Sequence, residues 1–104
     1  MSGTRYCAVW EFQVEAEAVG EFERIYGPTG LWAQLFRRST ALLGTELLRD
    51  CERSGRYMTI DRWSSPDGLR EFKQAYAAAY AALDTQCERL TEAEKFIGNF
   101  EETG

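Results

Sequence analysis

Residues 56–63 read RYMTIDRW and run directly into SSPD at 64–67. The first eight alternate. Tyr57, Thr59, Asp61 and Trp63 fall on one side of an extended chain, and Arg56, Met58, Ile60 and Arg62 on the other. Aromatic and β-branched residues at period two predict a strand. The four residues after it predict a helix start: serine accepts from the free first-turn amides, Pro66 suits the first helical position, and Asp67 complements the helix dipole.

On the C-terminal side, Leu69, Phe72, Tyr76, Tyr80, Leu83, Cys87 and Leu90 recur at helical spacing. The alanine-rich middle, AYAAAYAAL, favours one long helix that ends near Leu90-Thr91. Residues 94–101 (EKFIGNFE) alternate again, which predicts a last strand with Phe96, Gly98 and Phe100 on one side. On the N-terminal side, Cys51 to Gly55 reads as a turn and Leu43 to Arg49 as its partner strand. A short helix from Gly30 to about Arg38 aligns Leu31, Trp32, Leu35 and Phe36. Another from about Glu17 to Tyr26 aligns Val19, Phe22, Ile25 and Tyr26, and Gly27-Pro28 ends it. Residues 5–14 (RYCAVWEFQV) form the first strand. Tyr6, Ala8, Trp10, Phe12 and Val14 share one face, and Cys7, Val9, Glu11 and Gln13 the other.

The order is βαββαβ: an α+β chain of ferredoxin-like topology with a four-stranded antiparallel sheet. With no repeat, linker or low-complexity tail, residues 1–104 are expected to make a single domain. Both crossovers lie on one side of the sheet, so helices cover one face. The strands are nonetheless apolar on both faces: Trp10 and Phe12 oppose Cys7 and Val9, and Tyr57 and Trp63 oppose Met58 and Ile60. An uncovered apolar face needs a partner, and a second copy of the same sheet is the simplest one. A homodimer through sheet faces is therefore expected, with Glu11 and Arg62 placed to pair across it.

Seventeen acids against twelve Lys and Arg give a net charge of −5, which opposes binding to nucleic acid or an anionic membrane. No apolar run approaches the ~18 residues of a membrane span. Three widely spaced cysteines and no recognisable leader point to the cytoplasm. With no histidine there is no Cys–His pair, the cysteine spacing fits no zinc site, and GPTG at 27–30 lacks the pattern of a phosphate loop. Aromatics make up 13% of the chain, more ring area than a thin core hides, which calls for an interface, a lined pocket, or both.

VWEF at 9–12, GPTGLW at 27–32, LGTELLRD at 43–50 and above all YMTIDRWSS at 57–65 resemble the antibiotic biosynthesis monooxygenase-type domains of the dimeric α+β barrel superfamily. The resemblance covers almost the whole chain. It implies a homodimer whose sheets close a barrel, with a pocket between sheet and helices in each protomer. It also implies oxidation of polycyclic phenols to quinones by O₂ without metal or flavin, or, in relatives, haem degradation. Trp63 matches the family's pocket tryptophan. Thr59 stands where the quinone-forming type has an asparagine, and Leu69 where it has a tyrosine. Haem degradation requires a helical histidine that this chain lacks, and Phe12 replaces that type's first-strand asparagine.

The expected activity is that of a cofactor-independent monooxygenase-like protein acting on an aromatic or polyketide-type small molecule. Asp61 shares a face with Trp63, and burial would raise its pKa and suit it to take a phenolic proton. Its structural alternative is an arginine pair or exposure at the sheet edge. Trp63 is the expected donor toward oxygen. Tyr57, Tyr76 and Tyr80 are expected to orient the substrate, and Phe12, Trp32, Phe36 and Phe72 to wall it. No cofactor and no metal are expected. The alternative function is a non-catalytic small-molecule-binding or interaction domain on the same fold, marked by a pocket filled with side chains. A substrate-driven decarboxylation or isomerisation also suits such a barrel.

Overall fold

The alternating segments pair into one antiparallel sheet. The computed structural model describes residues 5–103, so Met1–Thr4 and Gly104 of the expected domain lie outside the described residues. Strand β1 spans Tyr6–Val14, β2 Leu42–Arg49, β3 Arg56–Trp63 and β4 Thr91–Glu101, in the order β2-β3-β1-β4. Helices α1 (Val19–Tyr26) and α2 (Leu31–Phe36) connect β1 to β2; α3 (Pro66–Ala75) and α4 (Ala77–Cys87) connect β3 to β4. This is the ferredoxin-like α+β arrangement, with the helices over one face.

The core lies between that face and the helices. Phe22, Phe72, Tyr57 and Trp63 are almost fully enclosed. Burying a large apolar side chain contributes on the order of 2–3 kcal/mol, so these rings dominate the adhesion of helices to sheet. The rings form a chain, with Trp63 against Phe36 and Phe72 at 5.6 and 5.2 Å and Phe22 against Phe12 and Tyr57 at 5.4 and 5.0 Å.

Local chemistry explains the joints. Ser65 Oγ accepts from the Gly68 amide at 3.0 Å, and Pro66 opens α3. In the β2–β3 hairpin, Asp50 Oδ1 accepts from the amides of Glu52 and Arg53 at 2.8 and 3.2 Å. Gly55 closes that turn at φ +82°, and a Cβ there would lie 2.6 Å from the Val14 carbonyl oxygen. The Val14 amide donates to the Gly55 carbonyl at 2.8 Å, which pins the hairpin to the end of β1.

Three expectations change. The long helix is two helices, broken at Tyr76 (φ −117°, ψ 29°). Alanine propensity favours an unbroken rod, but α3 packs through Phe72 on Trp63 while α4 packs through Tyr80 on Trp32, and packing overrides propensity. The last strand carries a bulge: Val9 opposes Gly98, whereas Trp10 opposes Phe96. The extra residue, Ile97, reverses the alternation, so Phe96 joins Trp10 on the helix side while Gly98 and Phe100 stay on the open face. Finally, Glu11 and Arg62 find partners within the chain. Arg56 Nε donates to Glu11 at 2.8 Å, and Arg62 bonds Glu46 at 2.8 Å and Glu102 at 3.1 Å.

The open face is apolar between those ion pairs. Val9, Met58 and Ile60 are half-buried there, and Leu48 and Phe100 are 47% and 49% exposed.

Candidate functional site

A cleft opens between the sheet and α2 because short side chains interrupt a layer of rings. Asp61 is flanked by Ala8 on β1 and Thr45 on β2, and Thr59 lies one step along the same face. Above them α2 presents Ala33 rather than a ring. None of these fills the gap between sheet and helix. The space measures about 520 Å³ including its open mouth.

Its walls are aromatic. Trp10 and Phe12 rise from β1, Tyr26 closes one side from α1, and Trp32 and Phe36 come from α2. Tyr80 and Asp84 of α4 stand one helical turn apart and so face the cleft together. Glu94, opposite Phe12 on β4, borders the same opening. Trp32 and Tyr80 meet edge-on at 5.0 Å, and Trp10 lies 5.1 Å from Phe96.

The electrostatics are negative. Asp61 has no hydrogen-bond or ion-pair partner among the described residues. Protein encloses it on most sides, and the loss of hydration pushes its carboxyl up to about 7, against the weaker opposing pull of Lys73. The same cause, with the carboxylates of Asp84, Asp61 and Glu94 around it, pushes the Tyr80 phenol up to about 12. Burial and Asp84 raise Glu94. Burial, together with Cys87, raises Tyr26. The Trp32 N–H sits beside Tyr26 and Cys87, buried without a well-formed hydrogen bond.

The structure brings Asp61, Phe12, Trp32, Phe36 and Tyr80 together at the cleft. The remaining expected site residues lie elsewhere. Trp63 is 1% exposed behind Phe36, with its N–H buried and unpartnered. Phe72 fills the space beside it, so the volume next to Trp63 is packed and the open volume lies on the far side of Phe36. Tyr57 is buried with its hydroxyl donating to Glu23, and burial with that carboxylate pushes its phenol up to about 12. Tyr76 lies tilted against Phe72 at 5.3 Å, with the Arg38 guanidinium 5.9 Å from its ring centre. Trp10, Tyr26, Ala33, Thr45, Thr59, Asp84 and Glu94 were not among the expected site residues. Trp10 was legible as a neighbour of Phe12 on the same strand face, and Asp84 by its four-residue step from Tyr80. Glu94 carried no signal, because its place depends on the register of β4.

No protein-family model matches the chain, and no curated protein matches it in sequence. Solved structures do match. SnoaB, a cofactor-independent oxygenase from Streptomyces nogalater, superposes with a TM-score of 0.72 at 21% identity, over 98% of this chain and 96% of its own. A candidate antibiotic biosynthesis monooxygenase from Bordetella bronchiseptica gives 0.75 at 17% identity, over 97% and 99%. Another from Deinococcus radiodurans gives 0.73 at 15%, over 95% and 93%. Across nearly its full length, the chain therefore has the α+β ferredoxin-like fold of antibiotic biosynthesis monooxygenase-type structures.

Proposed function

We propose that the protein is a cofactor-independent oxygenase for an aromatic, polyketide-type small molecule bound in the cleft beside Asp61. The observation that carries this reading is an unpartnered carboxyl, poised near neutrality, at the floor of an aromatic void. A carboxylate with a pKa near 7 is a competent base for an acidic phenol or an activated ring CH₂. The rings of Trp10, Trp32 and Phe36 offer flat apolar walls to a polycyclic substrate, and the Tyr80 hydroxyl, which stays protonated, is available to donate to a substrate oxygen.

The chemistry balances without an added reductant. Asp61 takes a proton, and the substrate anion passes one electron to O₂. Recombination of the radicals forms a C–O bond, and loss of water leaves a carbonyl. Replacing CH₂ by C=O removes four electrons from the substrate, which matches reduction of one O₂ to one product oxygen and one water. The protein's part is to orient the ring, exclude bulk water and hold the proton at Asp61. In the same reading, the open sheet face with Leu48, Ile60 and Phe100 pairs with a second copy, and the free thiols of Cys7, Cys51 and Cys87 suit the cytoplasm.

Oxygen uptake with anthrone-type phenols tests the proposal. The expected result is uptake and quinone formation above the spontaneous rate, abolished by Asp61→Asn. Equal rates with and without protein would end the oxygenase reading.

A further inference from the structure

Three carboxylates, Asp61, Asp84 and Glu94, border the cleft, and among the described residues no lysine, arginine or histidine lines it. None of the three has an ion-pair partner among the described residues, whereas Glu11, Glu21, Glu46, Asp50 and Glu102 are all paired with arginines. They reach the opening from three elements, β3, α4 and β4. Asp61 is half-buried at the floor, while Asp84 and Glu94 stand exposed at the rim, close enough that Asp84 raises Glu94. Between floor and rim lie the faces of Trp10, Trp32 and Tyr80. The Lys73 ammonium sits outside the lining, 5.8 Å from the centre of the Tyr80 ring. That ring already attracts an ammonium group.

This lining has a chemical consequence. A carboxylate-bearing ligand would enter against the like charges of Asp84 and Glu94, and of Asp61 where it is ionised, with no lysine or arginine among the lining residues. A neutral ligand would gain apolar contact and, through an oxygen, the Tyr80 hydroxyl, but no charge pairing. A ligand carrying a protonated amine would gain both the rim carboxylates and the ring faces, since aromatic quadrupoles attract cations. We propose that the cleft selects aromatic small molecules bearing a protonated amine, with the ring against Trp10 and Trp32 and the ammonium held at the rim by Asp84 and Glu94. The inference rests on the reading of the cleft as a small-molecule site. It adds the substrate class, and it assigns the two rim acids to binding and not to proton transfer.

The test compares three phenols that differ only in the charge of a short tail: tyramine, para-ethylphenol and para-hydroxyphenylpropionate. Each is titrated into the full chain at neutral pH and read by the indole N–H shifts of Trp10 and Trp32. Tyramine is expected to bind about tenfold more tightly than the neutral phenol, as one cation–π contact plus an exposed ion pair would give, with the anion weakest. The double variant D84N/E94Q, altered only at exposed positions, is expected to fold as the parent does and to bind tyramine and para-ethylphenol within about twofold of each other. The single variant E94Q is expected to fall between. Equal affinities in the parent, tighter binding of the anion, no tyramine-dependent shift, or a preference that survives in D84N/E94Q each overturn the proposal. Oxygen uptake is read separately. If no phenol supports uptake but the amine preference stands, the oxygenase reading fails and this one holds; uptake without an amine preference gives the reverse.

Discussion

Trp32 of α2 and Tyr80 of α4 meet edge-on at 5.0 Å, and this contact closes the roof of the cleft. It joins two helices whose contacting residues are 48 positions apart in sequence and that come from different halves of the βαββαβ pattern, so neither half alone builds the site. Tyr80→Ala is expected to cost about 1–3 kcal/mol in denaturant unfolding, through lost ring burial and the gap left beside Trp32. Tyr80→Phe keeps the ring and should stay within about 1 kcal/mol of the parent while weakening phenol binding. If both variants retained parental affinity, Tyr80 would have no part in binding.

Asp61 links activity and stability to pH in opposite directions. Its carboxyl lies at about 7 in the folded chain, raised from 3.8 by burial. At this site the folded state therefore binds the proton more tightly than the unfolded one, so Asp61's own contribution to stability is greatest at low pH and is lost as pH rises from about 4 through about 7. Asp61→Asn removes that penalty. At about pH 8 it should stabilise the protein by on the order of 2–4 kcal/mol, and near pH 4 by almost nothing. Over the same range the parent's oxygenation rate should rise, and the variant's should not. Urea midpoints at the two pH values, with the rate profile, check both signs.

Ser65→Ala removes the acceptor for the Gly68 amide at the start of α3 and is expected to cost about 1 kcal/mol. Gly55→Ala is more severe, because Gly55 combines φ +82° with a backbone oxygen 2.6 Å from the new Cβ. A loss of about 1–3 kcal/mol is expected, since the turn must shift away from β1. Thermal unfolding ranks the two, and a milder effect at Gly55 than at Ser65 would contradict the geometry.

Self-association should depend on the open sheet face. Leu48→Lys combined with Phe100→Lys changes two side chains that are exposed in the single chain, so the fold should persist. If that face pairs with a second copy, light scattering should show a dimer for the parent at micromolar concentration and a monomer for the variant. A monomeric parent would remove the barrel-dimer reading and leave the cleft untouched.

The β-strands, the helix start at Ser65 and the side of the sheet that residues of β1 and β3 occupy were legible in the sequence, because period two, serine capping and proline at the first helical turn are local physics. That is why RYMTIDRW is readable as a strand from sequence alone, and why Asp61, Phe12, Trp32 and Phe36 could be placed on the covered side. Three things lay beyond local pattern. The break at Tyr76 follows from α3 and α4 meeting different neighbours. The reversal of Phe96 follows from one extra residue, Ile97, in the pairing of β4 with β1. The position of the void follows from where short residues stack across strands and helix, as Ala8, Thr45, Thr59 and Ala33 do around Asp61. Trp63 shows the difference most clearly. Its strand and its face were determined locally, but whether it bounds a cavity or is walled in was decided by Phe36 and Phe72, which reach it from two separate helices. A sequence specifies the direction of a side chain through the backbone period. Only tertiary packing decides whether the space in front of it is filled.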